Sequence, residues 1–206
     1  KKLGRDFSVE RLLQDGYSAV FLGIGCALGQ YLNLPDEDQS AEGYLKGLDF
    51  LLEVEHSQKN PGGPAPLQGD VVVIGCGNVA MDCCRTARRL LTPGRVIVAY
   101  RRIEASAPAD PEEIKAARAE GVEFEFLSAP KRIIVEDGRV VGIELVRMYQ
   151  TEPDQSGRRG VKPIAGSEFV IPCSTVIASI GQKMDASVFS PEDGIRLSRW
   201  NTIETK

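Results

Sequence analysis

The sequence predicts an α/β fold with a parallel sheet and a separate three-stranded antiparallel layer, and two observations support this prediction. First, a strand, a glycine turn, a helix and a second strand follow one another between Asp70 and Arg102. Helical crossovers between apolar strands are typical of parallel sheets. Second, alternating segments joined by short turns occupy residues 131–172, and the Asp137-Gly138 turn between the first two is typical of an antiparallel hairpin.

The first strand of the parallel unit is Val71–Ile74, which consists of β-branched residues and suits a strand that is buried on both faces. The turn that follows, residues 75–80, has the spacing G-x-G-x-x-G/A. Gly75 permits a tight exit from the strand, and Gly77 has no Cβ, so a pyrophosphate can lie against the backbone. Ala80 still permits close packing of helix on strand. This pattern predicts a Rossmann-like dinucleotide-binding unit, and the alternative is an ordinary glycine-rich turn.

The charges around this unit indicate which dinucleotide it binds. The first N–H groups of the helix, near Asn78 and Val79, face the phosphates, and the helix dipole favours negative charge there. The second strand ends at Arg101 and Arg102, with no carboxylate before Glu104. Because a guanidinium matches phosphate oxygens, the strand end predicts NADP(H) with its 2′-phosphate bound by these arginines. The alternative is a solvated charge pair.

Composition excludes several classes of protein. The chain has 206 residues, 42% hydrophobic and 26% charged, with a formal charge of −4, which gives no general attraction to nucleic acid or to a membrane surface. No apolar run approaches the ~20 residues of a membrane span. The five cysteines form no CxxC pair, so we expect free buried thiols, a cytoplasmic location and no metal site. The single histidine, His56, lies in a polar stretch and is expected at the surface.

The segment before the glycine turn predicts a short helix that ends near Leu13, capped by Asp6 or Ser8. A strand is expected over 17–22, and a helix over 44–55. Residues 57–69 are rich in proline and glycine and predict a linker, which gives the best domain boundary.

The segment after Arg102 predicts a helix from Pro111, capped by Asp110, to about Glu120, and then a strand over 122–127. A hairpin of 131–136 with 139–149 and a third strand over 166–172 form the antiparallel layer. The basic residues at 85, 88 and 89 are expected on a solvated helix face. An apolar strand over 173–181 returns to the parallel sheet, and short strands are expected near 195–197 and 203.

Several stretches together resemble the small (beta) subunit of NADPH-dependent glutamate synthase and related FAD- and NAD(P)-binding oxidoreductases. The resemblance covers nearly the whole chain. It rests on residues 17–25 (YSAVFLGIG), 71–83 (VVVIGCGNVAMDC), 99–102 (AYRR), 120–124 (EGVEF) and 178–182 (ASIGQ).

The resemblance implies a two-dinucleotide flavoprotein in which hydride passes from NADPH to FAD and on to iron–sulfur centres or a large subunit. Residues 67–173 would be the NAD(P)H-binding domain, inserted between FAD-domain segments 1–66 and 174–206. Further cofactor-binding residues near the flavin and nicotinamide would be Gly23, Ile24, Gly25, Ile180, Gly181 and Gln182.

The family's FAD fingerprint near the N-terminus is absent from this sequence, so we expect only part of an FAD site. The chain starts at Lys1 without a methionine, which favours a piece of a longer protein. We name no catalytic acid or base, because hydride transfer needs positioning of two rings. Two alternatives remain: a nucleotide-sensing or interaction module without turnover, and an ordinary NAD-dependent dehydrogenase, against which the lone histidine argues.

Overall fold

The computed structural model describes residues 1–60, 62–153 and 159–204, so Pro61 of the predicted linker lies outside the described residues. None of the helices in these ranges is long and apolar enough to cross a membrane. The helices are α1 (Val9–Gln14), α2 (Gly47–Gln58), α3 (Asn78–Leu90) and α4 (Pro111–Ala119). The strands are β1 (Leu28–Gly29), β2 (Tyr44–Lys46), β3 (Val71–Ile74), β4 (Val96–Tyr100), β5 (Glu123–Phe126), β6 (Ser128–Glu136), β7 (Arg139–Pro153), β8 (Arg159–Pro172), β9 (Thr175–Ala178) and β10 (Gln182–Lys183).

The chain forms two compact units. Unit one comprises Lys1–Leu28 and Gln182–Lys206, and unit two comprises Gly29–Gly181. Unit two is built on a five-stranded sheet in the order β2-β9-β3-β4-β5, in which every neighbouring pair is parallel. From β3 the chain moves through β4 to β5 on one side, whereas β9 lies on the other side of β3. This change of direction creates a crevice at the carboxyl ends of the strands, where α/β proteins bind ligands.

Both faces of the parallel sheet are covered, which explains the uninterrupted apolar sequence of β3. Val71 and Val73 pack with residues of α2, α3 and α4 in one core. Val72 and Ile74 pack in a second core with Ile143 and other residues of the antiparallel strands. All four β3 residues are buried. Unit two therefore has three layers: helices, a parallel sheet and an antiparallel sheet.

The antiparallel layer confirms the prediction of a three-stranded meander, in the order β6-β7-β8. Asp137 and Gly138 both have positive φ, 49° and 76°, as the tight turn of a twisted hairpin requires. The predicted helix after Arg102 is also confirmed, because α4 begins at Pro111 and the Asp110 side chain accepts a hydrogen bond from the Glu112 N–H at 2.9 Å.

Before the glycine turn, one predicted helix begins later than predicted and one predicted strand is wrong. Residues 44–46 form β2, an edge strand paired with β9, and the helix begins only at Gly47. Residues 17–22, predicted as a strand, pair with no strand in the described part of the chain, and Phe21 is 94% exposed. In both cases the segment forms a strand only if a neighbouring strand is available for hydrogen bonding, and the local sequence does not specify that neighbour.

The predicted domain boundaries differ from the observed units. The boundary predicted between 66 and 67 separates β2 and α2 from β3, and the boundary between 173 and 174 separates β9 from the same sheet. The proline- and glycine-rich segment 57–69 instead connects α2 to β3 within unit two. Assignment of either unit to a particular cofactor remains a prediction.

Unit one is organised around α1. Of the two caps predicted, Ser8 is the one observed, since its Oγ accepts from the Arg11 N–H at 3.1 Å. The Glu10 N–H donates to Asp193 Oδ1 at 2.9 Å, which ties α1 to the short 3₁₀ helix Pro191–Asp193. Near the end of the chain, an antiparallel bridge joins Leu197 and Ile203, where short strands were expected.

The basic face of α3 is not simply solvated, as the sequence suggested, because it forms ion pairs with α4 and the residue after it. Arg85 contacts Glu113 and Glu120, each at 2.6 Å, and Arg89 lies 3.3 Å from Glu120. Arg88 donates to the Glu120 carbonyl at 3.3 Å. The hydrogen bond from Arg85 is the main cause that holds the pKa of Glu120 below its usual value of 4.5.

We expect Glu120→Gln to lower the free energy of unfolding at pH 7 by about 0.5–1 kcal/mol, since Glu120 is partly exposed and solvent weakens such pairs. A carboxylate with a lowered folded-state pKa stabilises the protein above its unfolded pKa, and this stabilisation is lost as the pH falls through the folded value. The difference from wild type should therefore close below about pH 4. Urea unfolding between pH 3 and 7 measures it. Glu112→Gln is the control, because its pair with Lys115 is about four-fifths exposed; a pH-independent difference for Glu120→Gln would refute the assignment.

Candidate dinucleotide-binding site

The turn after β3 is fixed by contact with the residue that follows β9. Gly75 has φ +126°, and a Cβ built on it would lie 2.2 Å from the Ser179 carbonyl oxygen. The Ser179 N–H donates to the Ile74 carbonyl at 2.8 Å, and the Gly75 N–H donates to the Ala99 carbonyl at 3.0 Å. Only glycine fits this position, and the turn is therefore held rigidly at the carboxyl edge of the sheet.

The second glycine of the motif has a different environment. Gly77 is the N-cap of α3 with extended backbone, φ −97° and ψ 178°, and a Cβ built on it would meet nothing within 4 Å. Open space therefore lies in front of the start of a 13-residue helix. The N–H groups of Asn78, Val79 and Ala80 have no partner within the helix, because the first turn of any α-helix lacks acceptors. This arrangement suits a phosphate group that approaches the backbone.

The side chain of Asn78 has a role that the sequence analysis missed. Its Oδ1 accepts a hydrogen bond from the Asp110 N–H at 3.0 Å, and the Ala109 N–H donates to the Cys76 carbonyl at 3.1 Å. These two bonds attach the segment after β4 to the glycine turn. The contact joins residues 32 positions apart, so nothing in the local sequence indicates it.

The two arginines at the end of β4 differ in their contacts. Arg101 is exposed and forms no ion pair or hydrogen bond with the described residues. The Arg102 Nη1 donates to the Arg159 carbonyl at 3.4 Å, and the side chain is partly buried. Of the predicted pair, Arg101 is thus the guanidinium that is free to take a new anionic partner.

Two other arginines near the last strands of the sheet are already paired with carboxylates. Arg118 binds Glu104 through two contacts of 2.7 Å. Arg147 pairs with Glu125 and lies over the Phe169 ring. Arg118 and Arg147 thus stabilise the fold through ion pairs, whereas Arg101 forms none with the described residues, which supports a ligand-binding role for Arg101.

The cysteine inside the glycine turn is a packing residue. Cys76 is 2% exposed, and burial raises the pKa of its thiol to about 11. A protonated, inaccessible thiol is unreactive. Within the described residues all five cysteines are free, although Cys26 is exposed where buried thiols were expected.

The segment after β9 brings part of the predicted nicotinamide region to the same edge. Ile180 is 46% exposed, and a Cβ on Gly181 would lie 3.3 Å from the Gln30 side-chain amide. Since Ser179 contacts Gly75, these residues lie close to the glycine turn. The other predicted residues, Gly23–Gly25 and Gln182, belong to unit one, and their proximity to a bound dinucleotide stays a prediction.

The described ranges contain no group of three or more His, Cys, Asp or Glu side chains that could hold a metal ion. His56 is exposed, as predicted.

A parallel sheet with a glycine turn, a free helix start and an arginine at the next strand end defines a dinucleotide-binding protein of the α/β class. The family model described as "Pyridine nucleotide-disulphide oxidoreductase" matches residues 6–206. The chain therefore belongs to the pyridine nucleotide-disulphide oxidoreductase family.

Among curated relatives, NADPH-Fe(3+) oxidoreductase subunit beta of Geobacter sulfurreducens is 42% identical over 207 residues, covering 100% of this chain and 30% of the relative. The glutamate synthase [NADPH] small chain of Halomonas elongata is 39% identical, covering 98% of this chain and 43% of the relative. These proteins confirm the resemblance found in the sequence. The chain spans less than half the length of these relatives.

Solved structures support the fold. The oxidoreductase FprA of Mycobacterium tuberculosis is 21% identical, with a TM-score of 0.69 over 95% of this chain and 55% of that protein. Thioredoxin reductase of T. acidophilum is 12% identical, with a TM-score of 0.58 over 85% of this chain and 48% of that protein. Both likenesses confirm the predicted architecture of a parallel sheet with an antiparallel layer.

Proposed function

We propose that this chain is the NADPH-binding part of a flavin-dependent oxidoreductase of the glutamate synthase small-subunit type. The observation that carries the proposal is the combination of open space in front of Gly77 and the Arg101 guanidinium after the adjacent strand, which pairs with none of the described residues. Two of the curated relatives carry NADPH in their names, and a third is an NADP(+)-dependent formate dehydrogenase subunit beta of Moorella thermoacetica.

The residues of the chain bind and orient the dinucleotide. The backbone N–H groups of 78–80 would hold the pyrophosphate, and Arg101 would bind the 2′-phosphate through charge-assisted hydrogen bonds. Arg102 would add charge while it holds the β8 backbone. Ile180 and Gly181 would lie against the nicotinamide, where an apolar side chain and bare backbone exclude water from the ring.

When bound, NADPH would supply a hydride for FAD, and the flavin would allow onward electron transfer to iron–sulfur centres. FAD would be held jointly by unit one and by the remainder of the longer protein, since relatives exceed this chain in length more than twofold. Two relatives are named as beta subunits and a third as a small chain, which supports a partner such as a large subunit or an iron–sulfur protein. Free cysteines support a cytoplasmic location.

We expect Arg101→Ala to raise the Kd for NADPH about 10- to 100-fold, because it removes charged hydrogen bonds to the 2′-phosphate. The Kd for NADH should stay within about twofold of wild type, as NADH lacks that phosphate. Fluorescence titration of both nucleotides with the purified protein measures the effect.

Arg132→Ala is the matched control for Arg101→Ala, because Arg132 is an exposed arginine on β6 that pairs with Glu144. Its NADPH affinity should be unchanged. Equal weakening of NADPH and NADH by Arg101→Ala, or no weakening of either, would contradict the assignment of Arg101 to the 2′-phosphate.

A further inference from the structure

The segment between β4 and α4, residues 103–110, forms a wall beside the candidate site. It is attached to the sheet by the Tyr100 hydroxyl, which donates to the Ser106 carbonyl at 2.8 Å. Its other end is attached to the glycine turn through the bonds of Ala109 and Asp110 described above. With both ends attached, the short 3₁₀ helix Glu104–Ser106 within it has a defined position next to the end of β4.

Glu104 is the first carboxylate after β4, and its charge matters for the choice of nucleotide. In sites for NAD, a carboxylate near this strand end accepts a hydrogen bond from the ribose 2′-hydroxyl. The same carboxylate would repel the 2′-phosphate of NADP. A site that prefers NADPH therefore has to keep this carboxylate away from the ribose.

The structure shows how the Glu104 carboxylate is held. Arg118, on α4, binds both of its oxygens, with Nη1 to Oε1 and Nη2 to Oε2 each at 2.7 Å. The Arg118 guanidinium itself lies over the rings of Phe124 and Phe126 on β5, at 4.9 and 5.9 Å from their centroids. Two-point pairing and stacking together fix the carboxylate on the β5 side of the segment.

This ion pair lies within electrostatic range of the glycine turn. Besides burial, which is the main cause, the Glu104 charge raises the pKa of Cys76 and the Arg118 charge lowers it. Cys76 lies between the two glycines of the turn, so the ion pair is near the turn in space. The two effects oppose one another as long as the pair is intact.

We propose that Arg118 is a positioning residue that sets nucleotide specificity: it holds the Glu104 carboxylate in a two-point ion pair and so keeps its charge from the ribose 2′ position. The inference rests on the proposed function, since it presupposes that the site binds NADPH. It assigns the preference for NADPH to two features, the free Arg101 and the sequestered Glu104.

The test compares the Kd values for NADPH and NADH in Arg118→Met, Glu104→Gln and the double variant, measured by titration of the purified protein. Methionine retains packing over the phenylalanine rings but cannot pair. In Arg118→Met the freed carboxylate should weaken NADPH binding about tenfold and leave NADH binding equal or tighter. Glu104→Gln should keep the wild-type ratio of the Kd for NADH to the Kd for NADPH. The double variant should recover most of the NADPH affinity, because no negative charge is left to repel the phosphate.

Arg89→Met is the control, since it removes an exposed arginine paired with Glu120 and should not change the ratio. If Arg118→Met proves unstable, Arg118→Lys keeps the charge without the two-point contact and should shift the ratio less, in the same direction. An unchanged ratio of the two Kd values in both Arg118→Met and Arg118→Lys, or a double variant that binds NADPH as poorly as Arg118→Met, would overturn the proposal. A wild-type protein without preference for NADPH would instead overturn the proposed function.

Discussion

Replacement of Gly77 by valine is expected to abolish dinucleotide binding while the protein stays folded. The backbone of Gly77 is extended, a conformation that any residue adopts, and a Cβ there meets no protein atom within 4 Å. The added side chain would occupy the space in front of the N–H groups of Asn78 and Val79. Loss of two or more charged hydrogen bonds to the pyrophosphate, each worth about 1.5–3 kcal/mol, predicts at least about 100-fold weaker binding.

The measurement pairs nucleotide titration with thermal unfolding of the same Gly77→Val sample. Both NADPH and NADH should lose affinity, because they share the pyrophosphate, and this distinguishes the variant from Arg101→Ala. Tm should fall by a few degrees at most, since valine is only a poorer N-cap than glycine. Normal binding by a folded Gly77→Val protein would show that no phosphate approaches this turn.

The sequence allowed the central part of this fold to be predicted because local and long-range preferences agree there. β3 and β4 are apolar enough for burial on both faces, and the helix between them starts at the glycine motif, so a parallel pair is the arrangement that satisfies all three. The Asp137-Gly138 turn likewise determines its hairpin through positive φ angles. The family resemblance follows from these same segments.

Features that depend on contacts distant in sequence could not be predicted. Residues 44–46 form β2 because they hydrogen-bond to β9, which lies more than a hundred residues later in the chain. The helix predicted over 44–55 therefore began too early. The Asn78–Asp110 bond and the Glu104–Arg118 pair join segments that only the folded sheet brings together. The predicted boundary between 66 and 67 falls within unit two for the same reason, since a proline- and glycine-rich segment has the same composition in a linker and in a long loop within one unit.

Replacement of Gly75 by alanine is expected to destabilise the folded protein, whereas Gly77→Val is expected to weaken nucleotide binding and leave the fold intact. The Cβ would lie 2.2 Å from the Ser179 carbonyl oxygen, in a residue whose N–H donates to the Ile74 carbonyl, and φ +126° is unfavourable for alanine. We expect a fall in the free energy of unfolding of about 3 kcal/mol or more, measured by urea unfolding.

Gly138→Ala provides the matched control for Gly75→Ala. Gly138 also has positive φ, but a Cβ there would meet nothing within 4 Å, so this variant reports backbone strain alone, about 1 kcal/mol. The excess loss in Gly75→Ala measures the clash with Ser179. If the two variants are equally destabilised, the turn and the β9 end are not in rigid contact. The two motif glycines would then share a single role, whereas we expect Gly75 to serve packing and Gly77 to leave room for the ligand.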